Sequence, residues 1–240
     1  MKILSIECSA TPCSVSLAEN GKILASAFTN EGLTHSQTLM PMVEDVLKRA
    51  NTTVKEIEGF AVAAGPGSFT GVRIGISAIK GLSAANKTPC AAVSTLYAMA
   101  NLQTENSIVC PVMDARCNQV YNALFDIENG QITRLCEDRA ILCEDLAKEI
   151  EKIVQKHNKS VIIMGDGAKL FFPYVESFGG TKLAEKGKLF QDAEGVAKAA
   201  EEMFKKGETV SPNELLPVYL RLPQAERELK LKKKIETKKE

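Results

Sequence analysis

The stretch that decides the fold runs from Ile57 to Gly75 and reads IEGFAVAAGPGSFTGVRIG. A short apolar run passes through a glycine-proline-glycine turn and enters a helix that Ser68 or Thr70 can cap. Strand, glycine turn and helix in this order are typical of α/β proteins, where such a turn directs free backbone N–H groups toward an anion. The sequence therefore predicts an α/β protein with a turn of the nucleotide-fold type.

The turn departs from the fingerprints of known catalytic and phosphate-binding loops. A phosphate loop needs Lys followed by Ser or Thr, but Val72 and Arg73 stand there. A dinucleotide loop needs glycine where Thr70 lies. A nucleophile elbow around Ser68 would need glycine at the positions of Pro66 and Thr70. Capping of the helix is therefore the sounder interpretation of Ser68 and Thr70.

The helix after this turn carries small residues on one face, spaced three to four apart. They are Gly71, Gly75, Ala78, Gly81 and Ala85. Each glycine inside a helix costs roughly 1 kcal/mol relative to alanine. Several on one face indicate that another element approaches the backbone closely, and we interpret the helix as a contact helix.

The flanking sequence alternates strands and helices. Lys2–Glu7 is a buried strand, and Asn20-Gly21 predicts a hairpin, so the chain opens as a β-meander. The stretch 36–50 reads as an amphipathic helix with Pro41 near its first turn or at a kink. Further helices are predicted at 144–156 and 193–206, and a strand at 160–164.

A second pass through the same pattern begins near Ser107. The segments 3–18 and 108–125 each contain an apolar strand, an acidic residue (Glu7 or Asp114), a polar turn with cysteine, and a second strand. This similarity suggests internal duplication. We divide the chain into lobes at 1–106 and 107–223, followed by a charged tail at 224–240 that is expected to be solvated.

Composition excludes several classes of protein. Hydrophobic residues make up 45% and charged residues 25%, the formal net charge is +0, and Trp is absent. No basic surface or base-stacking platform is indicated. The 7 cysteines are scattered without a CxxC pair, which is typical of reduced thiols. We expect a cytoplasmic protein, since no apolar stretch is long enough to span a membrane.

Candidate ligand-binding residues are few. Glu7 and Ser9 lie in the first polar turn, and Asp114 begins the second. Glu7 could reach a metal ion or be structural, and Asp114 with Arg116 could be a local polar pair. Gly165 and Gly167 follow a strand and could line an adenosine pocket or form a plain turn. The two histidines, His35 and His157, lack metal-binding spacing.

Taken together, these motifs resemble those of the TsaB family, also called YeaZ. The resemblance covers nearly the whole chain and rests on ILSIECS, THSQTLMP, AGPGSFTGVRIG, MDARCNQVY, GDGA and PVYLRLPQAE, in family order. AGPGSFTGVRIG is the most specific of these. Glu7 departs from the family pattern, where many relatives carry Asp. The resemblance implies an actin-like ATPase fold of two RNase-H-like lobes with mixed sheets flanked by helices.

The resemblance also implies a function. TsaB is similar to a shortened, inactive copy of TsaD, the subunit that transfers threonylcarbamoyl to adenosine 37 of tRNAs reading codons that begin with A. This chain is then expected to be a non-catalytic partner of TsaD, acting also with the ATPase TsaE, and to form a homodimer when alone. Direct contact with nucleic acid is not expected. An alternative is a metal- and ATP-dependent enzyme, a phosphotransferase or a peptidase.

The resemblance further implies where partners and cofactors would lie. Thr95 and Met99 stand where TsaD has its metal-binding histidine pair, so no metal or tightly bound cofactor is expected, and a nucleotide would bind only at an interface with partners. The first helix and the glycine helix would form a four-helix interface. Its expected residues are His35, Leu39, Met42, Val43, Val46, Phe69, Thr70, Gly71, Val72, Gly75, Ile76, Ala78 and Ile79.

Overall fold

The computed structural model describes residues 1–156 and 159–221, so the predicted tail at 224–240 lies outside the described residues. The strands are β1 Lys2–Glu7, β2 Cys13–Glu19, β3 Lys22–Thr29, β4 Gly59–Gly65, β5 Cys90–Ser94, β6 Ser107–Asp114, β7 Gln119–Asn122, β8 Phe125–Glu128, β9 Gln131–Arg134, β10 Arg139–Leu142, β11 Val161–Met164 and β12 Thr181–Leu183. The helices are α1 His35–Arg49, α2 Phe69–Ala84, α3 Thr95–Ala100, α4 Cys143–Lys156, α5 Ala168–Phe171 and α6 Ala193–Lys206.

The strands form two mixed sheets with the same internal order. In the first sheet the order is β3-β2-β1-β4-β5, where β1 to β3 are antiparallel neighbours and β4 and β5 run parallel to β1. In the second sheet β10, β7, β6, β11 and β12 repeat this order and these directions. Such a repeat is the RNase-H-like lobe of actin-like ATPases, so the predicted fold class is confirmed.

Local sequence signals account for most of these elements. Asn20 and Gly21 adopt φ of 50° and 78°, and Asn129 and Gly130 adopt 51° and 78°, which are the left-handed angles of a tight hairpin turn. The second strand expected at the end of the segment 108–125 is instead two strands, because β7 pairs with the end of β6 and β8 pairs with its beginning. Helix α1 begins at His35, one residue before the predicted start, and Thr34 is its N-cap residue.

The elements stack in layers. One face of the first sheet packs on α1 and α2, and its other face packs on α6. The second sheet is covered by α4 and α5 on one face and by α3 on the other. Helix α3 also touches β4, β5 and α6. A central helical layer therefore joins the two sheets through apolar contacts.

The last described segment corrects the predicted lobe boundary. The sheets do separate near 106, but α6 packs against β1, β2, β4 and β5 of the first sheet. Beyond it, Val210 and Cys90 exchange backbone hydrogen bonds of 2.9 Å, and Leu215 is buried in the first core. Residues 193–221 therefore belong with the first lobe, because the apolar face of α6 is covered by that sheet.

The glycine face of α2 packs on the protein's own first sheet. A Cβ added at Gly71 would collide with the Cys8 carbonyl oxygen, and one at Gly75 would lie 2.8 Å from Cys8 Sγ and 3.1 Å from a methyl of Val62. The prediction that this face leaves a groove for a partner helix was therefore wrong. Strands β1 and β4 occupy the space that the glycines leave.

All seven cysteines are free thiols, as the scattered spacing predicted, and five of them are buried. In the part of the chain that the structure describes, none of the helices combines the length and apolar character needed to cross a bilayer.

We predict that Gly75→Arg unfolds the protein, whereas Gly81→Arg does not. The first substitution forces a charged side chain against Cys8 and Val62, but an atom added at Gly81 meets nothing within 4 Å. Replacing Gly81 in a helix should even add roughly 0.5–1 kcal/mol of helix propensity. Far-ultraviolet circular dichroism and thermal melting test this pair. A native-like melting temperature for Gly75→Arg would contradict the packing described above.

Candidate functional site

A cleft of about 570 Å³ opens between the two lobes. Its first-lobe wall contains Ser9 and the turn from Pro66 to Phe69, and its second-lobe wall contains Asp114 and Asp166. Residues Val218 to Arg221 form the remaining rim. Of the five candidate ligand residues, the cleft thus brings together Ser9 and Asp114.

Glu7 lies two residues before Ser9, which lines the cleft, and its own side chain is fully buried. Its Oε1 accepts a hydrogen bond of 2.6 Å from the backbone N–H of Ser9, while Oε2 has no partner among the described residues. Burial raises the pKa of Glu7 to about 7, with smaller contributions from Asp192 and Asp166, and hydrogen bonding to Ser9 opposes this rise. The carboxyl therefore changes charge near neutral pH.

The other candidates serve mainly local structure. Both carboxylate oxygens of Asp114 are engaged by Arg116, through the backbone N–H at 2.7 Å and the guanidinium at 3.2 Å. Asp114 and Arg116 thus form a local polar pair, which is the interpretation that the sequence offered for them. Gly165 and Gly167 are buried against β6, where an added Cβ at Gly165 would collide with the Val112 carbonyl oxygen. Neither glycine lines the cleft.

Sequence reasoning missed Asp166, which lies between those glycines and does line the cleft. Its Oδ1 accepts a hydrogen bond of 2.6 Å from Gln191, and burial raises its pKa. Asp166 follows the end of the buried strand β11. This position could have identified it, because the carboxyl ends of parallel strands meet at the edge of a sheet where ligands bind.

The residues where the resemblance places a metal-binding pair do not fit a metal ion. Thr95 begins α3 and Met99 lies one turn later, and both side chains are buried. Met99 packs in the apolar cluster between α3 and the second sheet. A hydroxyl and a thioether are poor ligands for a hard or borderline ion. Among residues 1–156 and 159–221, no three His, Cys, Asp or Glu side chains are grouped to hold a metal.

A second concave surface of about 530 Å³ lies on the outer side of α1 and α2. We call it the α1/α2 groove and define it by its lining residues, which are His35, Ser36, Leu39, Met40, Phe69, Thr70, Arg73, Ile74, Ser77 and Ala78. Met40 is 40% exposed, whereas Leu39 forms the buried floor. At one end, His35 Nε2 lies 2.7 Å from the Ala10 carbonyl oxygen, which ties α1 to the turn after β1.

Some of the predicted interface residues line the α1/α2 groove, and the others do not. Five predicted residues line it: His35, Leu39, Phe69, Thr70 and Ala78. Met42 is half-buried against the core outside this lining. The remaining residues, Val43, Val46, Gly71, Val72, Gly75, Ile76 and Ile79, are buried in the chain's own core. The strongest apolar stripe of each helix therefore faces its own sheet, and the surface consists of the residues beside that stripe.

The paired lobes, the cleft between them and the central helices define a protein of the actin-like ATPase class. A family model described as "TsaD: tRNA N6-adenosine threonylcarbamoyltransferase" matches residues 23–235. The tRNA threonylcarbamoyladenosine biosynthesis protein TsaB of Escherichia coli K12 is 33% identical, over 92% of this chain and 95% of that protein. The TsaB of Bacillus subtilis 168 is 31% identical, over 94% and 96%.

A solved structure agrees with these relatives. YeaZ from Pseudomonas aeruginosa superposes with a TM-score of 0.77 at 28% identity, covering 91% of this chain and 99% of that one. The chain belongs to the TsaB (YeaZ) family, which confirms the resemblance found in the sequence. A shorter match of 37% identity over 120 residues is to the tRNA N6-adenosine threonylcarbamoyltransferase of Methylorubrum extorquens PA1, over 42% of this chain and 35% of that protein.

We predict that Glu7 makes stability fall as pH rises. Its pKa is raised from 4.5 to about 7 in the folded state, so the folded protein binds more protons than the unfolded chain between these values. The stability that the protonated Glu7 carboxyl contributes is fully present below pH 4.5 and is lost as the pH rises through about 7. Glu7→Gln should therefore gain about 3 kcal/mol over the parent at pH 8, and little at pH 5.

Denaturant unfolding of the parent and Glu7→Gln at both pH values measures this difference. Glu151→Gln, an exposed change on α4, is the control. A constant difference between parent and Glu7→Gln across pH 5 to 8 would refute the assignment.

We predict weak or no binding of ATP to the isolated chain. Both polar turns lack glycine, and the carboxylate of Asp114 is already engaged by Arg116. Isothermal titration calorimetry with ATP and magnesium measures the affinity. A dissociation constant in the low micromolar range for the pure protein would overturn this expectation.

Proposed function

We propose that this chain is a non-catalytic subunit that pairs with TsaD and supports formation of N6-threonylcarbamoyladenosine at position 37 of tRNAs reading codons that begin with A. The observation that carries the proposal is the α1/α2 groove. It presents Met40 and the half-buried Phe69, Ile74 and Ala78 at the surface, although both helices already bury another face in the core. Apolar surface of this kind is typical of a contact site.

The relationship to the transferase supports the choice of partner. The family model that matches this chain is named for TsaD, and part of the chain is similar to a transferase of that name. A protein with the same lobe would present an equivalent helix pair. Two such pairs packed together give a four-helix interface, whose apolar area contributes roughly 25 cal/mol per Å² removed from water.

The lack of catalysis is proposed from the residues in the two places where chemistry is expected. Thr95 and Met99 are buried, and Asp114 is held by Arg116. Under the same proposal TsaE is a further partner and the chain self-associates through the groove when TsaD is absent. A nucleotide would bind only where partner chains complete a site. The protein would act in the cytoplasm, where thiols stay reduced.

We predict that Met40→Asp abolishes pairing with TsaD without unfolding the chain. A carboxylate in place of the apolar Met40 side chain would have to lose its water on association, which costs several kcal/mol. Leu183→Asp is the matched control, because Leu183 is 41% exposed and Met40 is 40% exposed, but Leu183 lies on β12 of the other lobe.

Co-purification with TsaD from the same organism, followed by light scattering of the eluted complex, measures pairing. Thermal melting verifies that both variants are folded. Pairing of folded Met40→Asp with TsaD at the parent's affinity would exclude the groove as the contact site.

A further inference from the structure

Arg73 is the cationic side chain of an otherwise mostly apolar groove, and its position is fixed from two sides. Its guanidinium carbon lies 3.7 Å from the centre of the Phe69 ring. Its Nε donates a hydrogen bond of 2.8 Å to the hydroxyl of Tyr219. Tyr219 in turn stacks on Phe69, with ring centres 4.7 Å apart. These contacts hold an exposed side chain in one orientation.

The two terminal nitrogens of this guanidinium have no hydrogen-bond partner in the described part of the chain. Four other arginines there are paired with carboxylates: Arg49 with Asp45, Arg116 with Asp114, Arg134 with Asp138 and Arg139 with Glu149. Arg73 takes part in no ion pair within residues 1–156 and 159–221. Tyr219 accepts the hydrogen bond from Nε. The edge of the guanidinium formed by its two terminal nitrogens is therefore available for a ligand.

The segment that carries Tyr219 is itself anchored firmly. The backbone N–H of Val218 donates to the Ala64 carbonyl oxygen at 2.7 Å, and Lys80 donates to the Asn213 carbonyl oxygen at 3.3 Å. Arg221 donates to the Ala115 carbonyl oxygen of the second lobe. The segment therefore runs beside α2 and holds Tyr219 in place against the groove.

We propose that Arg73 is a specificity-determining residue that receives a carboxylate of TsaD, and that Tyr219 is the positioning residue that orients it. A planar guanidinium with a free edge fits a carboxylate in a bidentate pair. Docking removes this pair from water, so a partner that lacks the carboxylate leaves a buried unpaired charge. The proposal rests on the proposed pairing with TsaD and adds the chemistry by which the correct partner is recognised.

The first test measures the dissociation constant of the TsaD complex for variants at position 73. Arg73→Met should weaken binding roughly 30-fold or more, and Arg73→Glu should weaken it further. Arg73→Lys should lie between these and the parent, because an ammonium lacks the fork. Lys48→Met, which removes one positive charge from α1 outside the groove, should bind like the parent.

The second test separates positioning from a structural role. Tyr219→Phe keeps the ring and loses the hydroxyl, so it should weaken binding roughly 5-fold. In the Arg73→Met background the same change should have no further effect, because Tyr219 acts through Arg73. A Tyr219→Phe effect that persists in that background would overturn the positioning role.

The third test identifies the acid. One Asp or Glu to Arg substitution on the docking helices of TsaD should restore binding to Arg73→Glu. If Arg73→Met and Arg73→Glu bind TsaD within twofold of the parent while Met40→Asp does not bind, the inference fails and the proposed pairing stands. If the parent itself does not bind TsaD, the proposed function fails. If Arg73→Glu breaks only self-association, the carboxylate belongs to a second copy and the assignment to TsaD is wrong.

Discussion

The arrangement of the first lobe depends on the close contact between α2 and the end of β1. Gly71 lies against the Cys8 carbonyl oxygen, Gly75 lies against the Cys8 sulfur, and the Cys8 thiol donates to the Gly71 carbonyl oxygen at 3.3 Å. No side chain fits between these backbones. The contact fixes the rotation of α2 about its axis, so Phe69 and Arg73 lie on its outer side.

That rotation connects the two concave surfaces of the molecule. Phe69 lines both the inter-lobe cleft and the α1/α2 groove, and Tyr219 stacks on it from the cleft side. The segment 210–221 therefore links the first core, the cleft rim and the groove. The first lobe is therefore not one continuous stretch of sequence, because α6 and the residues after it return to the first sheet.

Candidate ligand residues at and near the cleft are engaged by contacts within the chain itself. Glu7 is buried with a raised pKa, and one of its oxygens has no partner among residues 1–156 and 159–221. Asp114 pairs with Arg116, and Met99 is packed in the core. Packing and local ion pairs thus engage positions that could otherwise meet a ligand. The α1/α2 groove with Met40 and Arg73 lies instead on the outer helices, which is why we place the proposed function there.

The sequence by itself determined the element types, the hairpin turns, the duplicated pattern and the family, because these depend on local periodicity, glycine and asparagine positions, and motif order. It also identified the glycine helix as a contact helix. Only the tertiary structure decided what that helix contacts. An apolar or small-residue stripe looks the same whether its own sheet or a partner covers it, so Val43 and Gly75 were assigned to a partner surface but lie in the core. The neighbours of Arg73 likewise depend on Tyr219, 146 residues away, which no local pattern predicts.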